Sequence, residues 1–198
     1  MRTQIAIALL GLLAFTDAAP LDCEELVKPI AYHDDYTSIM GKWIFTQGFS
    51  DGQLFTTILE KVNSSWMAFE PSPVPDTFPL SQGNMIGGLC EFTSTNTTVI
   101  NGTFLASEKN VTSTGIFLPS CSDCLTMSFK SDAAGQTINS LYLFVREGKD
   151  ATFDTFQKQA ECLGYKGAPS FTYNGVTELC KIKDSTSDSK SSEGQHHH

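Results

Sequence analysis

The sequence predicts an all-β, antiparallel fold with one C-terminal α-helix. Three observations point there. Eight short stretches have strand composition, several with apolar and polar residues in alternation. Turn signals separate them, among them Gly87-Gly88 and Asn101-Gly102. Only one long segment, 150–164, carries a clear helical stripe. On these grounds a sandwich and a closed barrel are both open.

The first strand is expected at 43–49, where Trp43-Ile44-Phe45-Thr46-Gln47-Gly48-Phe49 alternates. The second, 64–69, is stopped by Pro71, Pro73 and Pro75, which cannot donate to a strand ladder. Segment 77–85 follows, then the Gly87-Gly88 turn, then 89–99. Asn101-Gly102 favours a tight hairpin into 103–108. The last three strands are expected at 112–119, 124–130 and 138–146. The helix is expected from Asp150, as N-cap, to Gly164, as stop. Phe153, Phe156, Ala160 and Leu163 fall on one face, which packs on the outside of the sheet.

Residues 1–18 read as a secretory signal: Arg2, an apolar run from Ile5 to Phe15, and small residues at Thr16-Asp17-Ala18. The folded domain is expected over 19–183. The Ser-, Asp- and Lys-rich segment 184–198 reads as a disordered tail, and its terminal His196-His197-His198 is set aside. Asn63, Asn96, Asn101 and Asn110 head glycosylation sequons, consistent with a secreted, extracellular glycoprotein. Net charge is −9, and the lysines and arginines do not cluster, which argues against nucleic acid and anionic membranes as partners. No later segment is long and apolar enough to cross a bilayer. A monomer is expected.

The chemistry-bearing residues are few. Six cysteines follow the signal: Cys23, Cys90, Cys121, Cys124, Cys162 and Cys180. In an oxidising compartment an even count implies disulfides, with the pairing open. Cys121-Ser-Asp-Cys124 can close on itself. It lies between strands rather than at a helix start, unlike a redox motif. His33 is the only histidine before the tail, which argues against a Ser-His-Asp site or a histidine zinc site. Catalysis and a cofactor are not expected. The remaining chemistry is binding of a small molecule.

Gly41-Lys42-Trp43 opens the first strand, and Arg146 ends Leu143-Phe144-Val145 just before the helix. With eight strands and one following helix, this resembles the lipocalin layout. The resemblance implies an eight-stranded antiparallel up-and-down barrel, the helix packed outside, and Arg146 lying across Trp43 at the closed base. Residues 39–49, Asn96-Thr97-Thr98 after Cys90, and Glu161-Cys162-Leu163 with Cys180 are similar to the orosomucoid and apolipoprotein M branch. Leu26-Val27-Lys28-Pro29, Asn63-Ser64-Ser65-Trp66-Met67 and Phe117 to Cys124 resemble the fish tributyltin-binding proteins. The pufferfish saxitoxin- and tetrodotoxin-binding proteins are built from the same kind of domain.

The resemblance further implies disulfides Cys23–Cys162, Cys90–Cys180 and Cys121–Cys124. It implies a ligand inside the barrel. Trp43 sets the first strand's inward face as Phe45, Gln47 and Phe49, and Arg146 sets the last strand's as Tyr142 and Phe144, unless a bulge shifts a strand. Alignment to the family adds Met67, Phe69, Leu80, Gln82, Asn84, Ala106, Glu108, Met127 and Phe129. Orosomucoid carries a basic residue near the Glu108 position, so a carboxylate there favours a cation. The implied ligand is a guanidinium toxin such as tetrodotoxin or saxitoxin, an organotin or other xenobiotic, or an endogenous lipid or steroid. An acute-phase or immunomodulatory glycoprotein acting through its surface is the other class.

Overall fold

The computed structural model describes residues 21–32 and 36–182. The expected signal at 1–18, the tail at 184–198 and His33 lie outside the described residues. The elements in chain order are α1 (Cys23–Leu26), a 3₁₀ turn (Thr37–Ile39), β1 (Gly41–Ser50), α2 (Gln53–Lys61), β2 (Val62–Phe69), β3 (Thr77–Ile86), β4 (Leu89–Ile100), β5 (Thr103–Glu108), β6 (Val111–Leu118), β7 (Cys124–Ala133), β8 (Gln136–Arg146), α3 (Asp154–Cys162) and β9 (Phe171–Thr172).

β2 to β8 pair in sequence order, each antiparallel to the next. β1 then pairs with β8 on one side and β2 on the other, so the sheet closes into an eight-stranded barrel. Two-residue turns drive this order. Gly87-Gly88, Asn101-Gly102, Lys109-Asn110 and Ala134-Gly135 all have positive φ at both positions. That is the turn whose twist matches a hairpin. Closure removes the sheet edges that would otherwise invite pairing with other chains.

Apolar residues form two cores, one on each side of the wall. The inner core includes Trp43, Phe45, Met67, Phe69, Phe104, Phe117, Leu125 and Phe144. The outer core joins Ile44, Phe49, Leu141 and Leu143 of the sheet to Phe156 and Ala160 of α3. Trp43 plugs the base: its Nε1 donates to the Ile39 carbonyl at 2.8 Å. The Arg146 guanidinium stacks 3.8 Å from the Trp43 ring. Arg146 also donates to the backbone carbonyls of Met40 and of Ser38, the latter at 2.6 Å. One side chain thus ties the last strand to the chain entering the first.

Helix α3 starts three residues later than expected. Asp150 is not its N-cap; Phe153 occupies that position and makes no side-chain cap bond. Residues 147–153 are used in crossing from β8, and Ala151 and Phe153 pack into the outer core instead. Gly164 does follow the helix, with φ +85°. Helix α2 and strand β9 are not anticipated by the sequence reading. The disulfides are Cys23–Cys162, Cys90–Cys180 and Cys121–Cys124. The first fastens α1 to α3. The second fastens β4 to a C-terminal strap along β2, where Ser64 Oγ donates to the Glu178 carbonyl at 2.7 Å and Trp66 Nε1 to the Cys180 carbonyl at 2.6 Å.

Candidate ligand chamber

Strand alternation decides which side chains enter the barrel. Opposite residues on paired strands share a face. Phe45 lies opposite Phe144, Leu80 opposite Phe69, Met67 opposite Gln82, and Tyr142 opposite Met127. All of these point inward and line a cavity of ≈ 260 Å³. Asn84, Ala106 and Phe129, also expected at the lining, line it too.

Glu108 sits higher. It is the last residue of β5 and lines the mouth, a second space of ≈ 380 Å³ that shares Ile58, Leu59, Gln82, Asn84, Ala106, Ser113 and Tyr142 with the chamber below.

Gln47 and Phe49 are not in the chamber. The register between β1 and β8 slips between Phe45 and Gln47, leaving Thr46 as the extra residue of a bulge. Past it the parity flips. Gln47 then faces the same side as Leu143, and Phe49 the same side as Leu141, both outer-core residues. The Phe49 ring lies 5.8 Å from Phe156 and 5.6 Å from Tyr165, between the barrel wall and the residues at and beyond α3. Gly48 takes the inward position instead. A Cβ there would come within 2.5 Å of Phe45 Cζ and 3.2 Å of Tyr142 Cδ1. Glycine therefore makes room for the aromatic cluster.

One wall of the chamber is aromatic. Phe45 stacks on Tyr142 at 4.5 Å and on Phe144 at 5.2 Å, and Phe129 meets Tyr142 edge-on at 4.8 Å. Behind Phe45, at 4.5 Å, is Phe171 of β9, which pairs alongside β1 at Gln47 and Gly48. Burial pushes the Tyr142 phenol well above its ordinary pKa, more than a hydrogen bond to Ser140 lowers it. It therefore stays protonated and can donate.

The facing wall is polar. Ser65 Oγ donates to Asn84 Oδ1 at 2.6 Å, which leaves the Asn84 amide NH₂ free to donate. Ser113 and Ser131 share a hydroxyl–hydroxyl bond of 2.7 Å. Thr97 is 1% exposed, lines the chamber, and its Oγ1 has no partner. The arrangement offers a π-rich face, amide and hydroxyl groups opposite, and a carboxylate at the entrance. It can hold and orient a small molecule with a polar or charged end.

Sequence reasoning missed Ser65, Thr97, Phe104 and Ser113, and the mouth-covering Ile58 and Leu59 of α2. Phe104 was reachable, because it shares strand parity with Ala106 and Glu108 on β5. The α2 contribution had a fainter signal, the apolar Leu54, Phe55, Ile58 and Leu59 between the first two expected strands.

No family model matches this chain. Among curated proteins it is similar to saxitoxin and tetrodotoxin-binding proteins 1 and 2 of Takifugu pardalis. They are 25% identical over 189 residues and 26% identical over 196 residues. Each match covers 84% of this chain and 46% of the relative, so the chain spans about half the length of these relatives. Among solved structures it is similar to the siderocalin Ex-FABP, with TM-score 0.60, 14% identity, and coverage of 69% of this chain and 95% of that one. It is also similar to the lipocalin Q83, with TM-score 0.50, 17% identity, and 69% and 87% coverage. Odorant-binding protein OBP1 superposes with TM-score 0.51, 10% identity, and 67% and 86% coverage. With its closed barrel, its Trp43–Arg146 base and its outer helix, the chain is a lipocalin in fold.

Proposed function

We propose that this protein is a secreted carrier or sequestering protein that holds one small organic cation in its barrel, without catalysis. The observation that carries this reading is the continuity of the chamber. An aromatic and hydroxyl-lined pocket opens directly into a mouth where Glu108 stands on the inner face. A carboxylate in that position binds a guanidinium or ammonium group through charge-assisted hydrogen bonds. The polar wall of Gln82, Asn84, Thr97 and Ser113 suits a body rich in hydroxyls. The names of the two pufferfish relatives record binding of saxitoxin and tetrodotoxin, which supports a guanidinium toxin as the ligand.

A second reading rests on Met67 and Met127, whose thioethers also line the chamber. Sulfur and hydroxyl donors beside an apolar wall suit an organotin, an apolar body with a Lewis-acidic centre that seeks an oxygen, nitrogen or sulfur donor. Calorimetric titration of tetrodotoxin against the glycosylated protein, with tributyltin as comparator, separates the two. Saturable one-site toxin binding, weakened about tenfold or more by Glu108→Gln, is the expected result. Toxin affinity unchanged in that variant removes Glu108 from the role. Tin binding without toxin binding selects the second reading.

A further inference from the structure

We infer that the mouth is a second subsite built from two carboxylates, Glu91 with Glu108, and that it extends the ligand class from guanidinium toxins to organic cations with an apolar body. This rests on the barrel being the binding site. Glu91 lies on β4 opposite Asn84, and Asn84 lines the chamber, so Glu91 is on the inner face. Glu108 shares the inner face of β5 with Ala106, which lies opposite Thr97 of β4. The two acids therefore enter the same ≈ 380 Å³ space from neighbouring strands.

Among the described residues neither carboxylate is in an ion pair. The ion pairs among the described residues are Lys28–Glu25, Lys42–Glu147 and Lys181–Glu178. Lys109 also lines the mouth, on the turn between β5 and β6, yet it is in none of these pairs. The space thus holds two negative charges against one positive.

Two threonines add an independent sign of an absent polar partner. Thr97, 1% exposed at the chamber wall, has an Oγ1 with no hydrogen bond. Thr93, four residues nearer Glu91 on the same inward face, has a buried Oγ1 in the same condition and lines the mouth. Buried hydroxyls are normally paired. Between them Thr95 is satisfied, its Oγ1 donating to the Ser107 carbonyl at 2.9 Å, so the two unpaired hydroxyls, one at the mouth and one at the chamber wall, are what a seated polar ligand would satisfy. Below them, the faces of Phe45, Tyr142 and Phe144 accept an apolar body and attract cationic edges. The division of labour is then charge at the top and apolar contact at the bottom.

The test is a matched set of probes at neutral pH: decyltrimethylammonium, decanoate and uncharged decanol, titrated calorimetrically below their aggregation limits. The ammonium probe is expected to bind at least ~10-fold more tightly than decanoate, with decanol between. Glu91→Gln and Glu108→Gln should each shrink that preference, and Lys109→Gln should widen it. All three changes are at the mouth and leave the base and the outer core intact. Equal binding of the two charged probes, or a preference untouched by Glu91→Gln, overturns this inference alone. Failure of all three probes to bind overturns it together with the barrel reading.

Discussion

Phe49 shows how much one residue's parity decides. Strict alternation from Trp43 sends it into the chamber, but the bulge at Thr46 sends it out against Phe156 and Tyr165. The two placements differ in their consequences. Phe49→Ala should cost about 3–5 kcal/mol of stability, as a large aromatic removed from a packed core. It should leave ligand affinity unchanged once the protein is folded. Urea denaturation and calorimetry on the same variant check both halves. A large loss of affinity with little loss of stability would return Phe49 to the chamber. Gly48 is the complementary case. Gly48→Ala forces Cβ against Phe45 and Tyr142, so it should weaken binding through the aromatic wall while adding only a methyl group.

The strands were legible in the sequence because each signal was local: alternation, prolines after 69, and turn dipeptides such as Asn101-Gly102. The bulge was not, because no residue near Thr46 announces it. It is visible only in the pairing with β8 and in the bond from the Tyr173 amide to the Thr46 carbonyl, 2.8 Å long. That partner lies over a hundred residues away in sequence. Helix α3 was legible from Phe156 and Ala160, but its start was not, since Asp150 makes a good N-cap only where the chain is free to turn. Gln159 went unread for a similar reason. It is 0% exposed, and its Nε2 donates to the carbonyls of Leu26 at 2.8 Å and Pro119 at 2.7 Å. A glutamine in a helix looks solvent-facing until the end of α1 and the segment after β6 are seen to meet it.

At the same scale the C-terminal strap depends on Cys90–Cys180, whose partners are 90 residues apart. Replacing both cysteines by alanine should lower stability by roughly 4–5 kcal/mol in the chain-entropy model. It should also free the segment that presents its carbonyls to Ser64 and Trp66. Urea denaturation of the double variant checks the first effect, and the fluorescence of Trp66, whose Nε1 donates to the Cys180 carbonyl, checks the second. A variant as stable as the parent, with the Trp66 signal unchanged, would show that the bonds from Ser64 and Trp66 hold the strap without the disulfide.

For the whole molecule, alkaline pH is a probe of the buried phenols. Burial raises the pKa of Tyr142, and burial followed by the nearby Asp51 charge raises that of Tyr165. In the unfolded chain a tyrosine titrates near pH ~10. Below that pH both states hold the phenol protons, so these groups add no pH dependence. Above it the unfolded chain releases them while the folded chain does not, so stability falls as pH rises. Denaturation midpoints from about pH 8 to about pH 11 should show this decline, shallower in Tyr165→Phe. An unchanged slope in that variant would place the titration elsewhere.

The all-β character and the outer helix could be read from residues, and the resemblance to lipocalins supplied the closed barrel, its base and the candidate lining; the depth of the site could be read from neither. It arises where a polar wall from β2 to β6 faces an aromatic wall from β1, β7 and β8 across a closed sheet. The most direct check is a calorimetric titration of tetrodotoxin against Tyr142→Ala beside the parent protein, after circular dichroism shows both folded. Tyr142 lines both the chamber and the mouth. Affinity reduced by about tenfold or more is the expected outcome, from loss of the stacked ring and its hydroxyl. Equal affinity in the two proteins would contradict a ligand seated in the barrel.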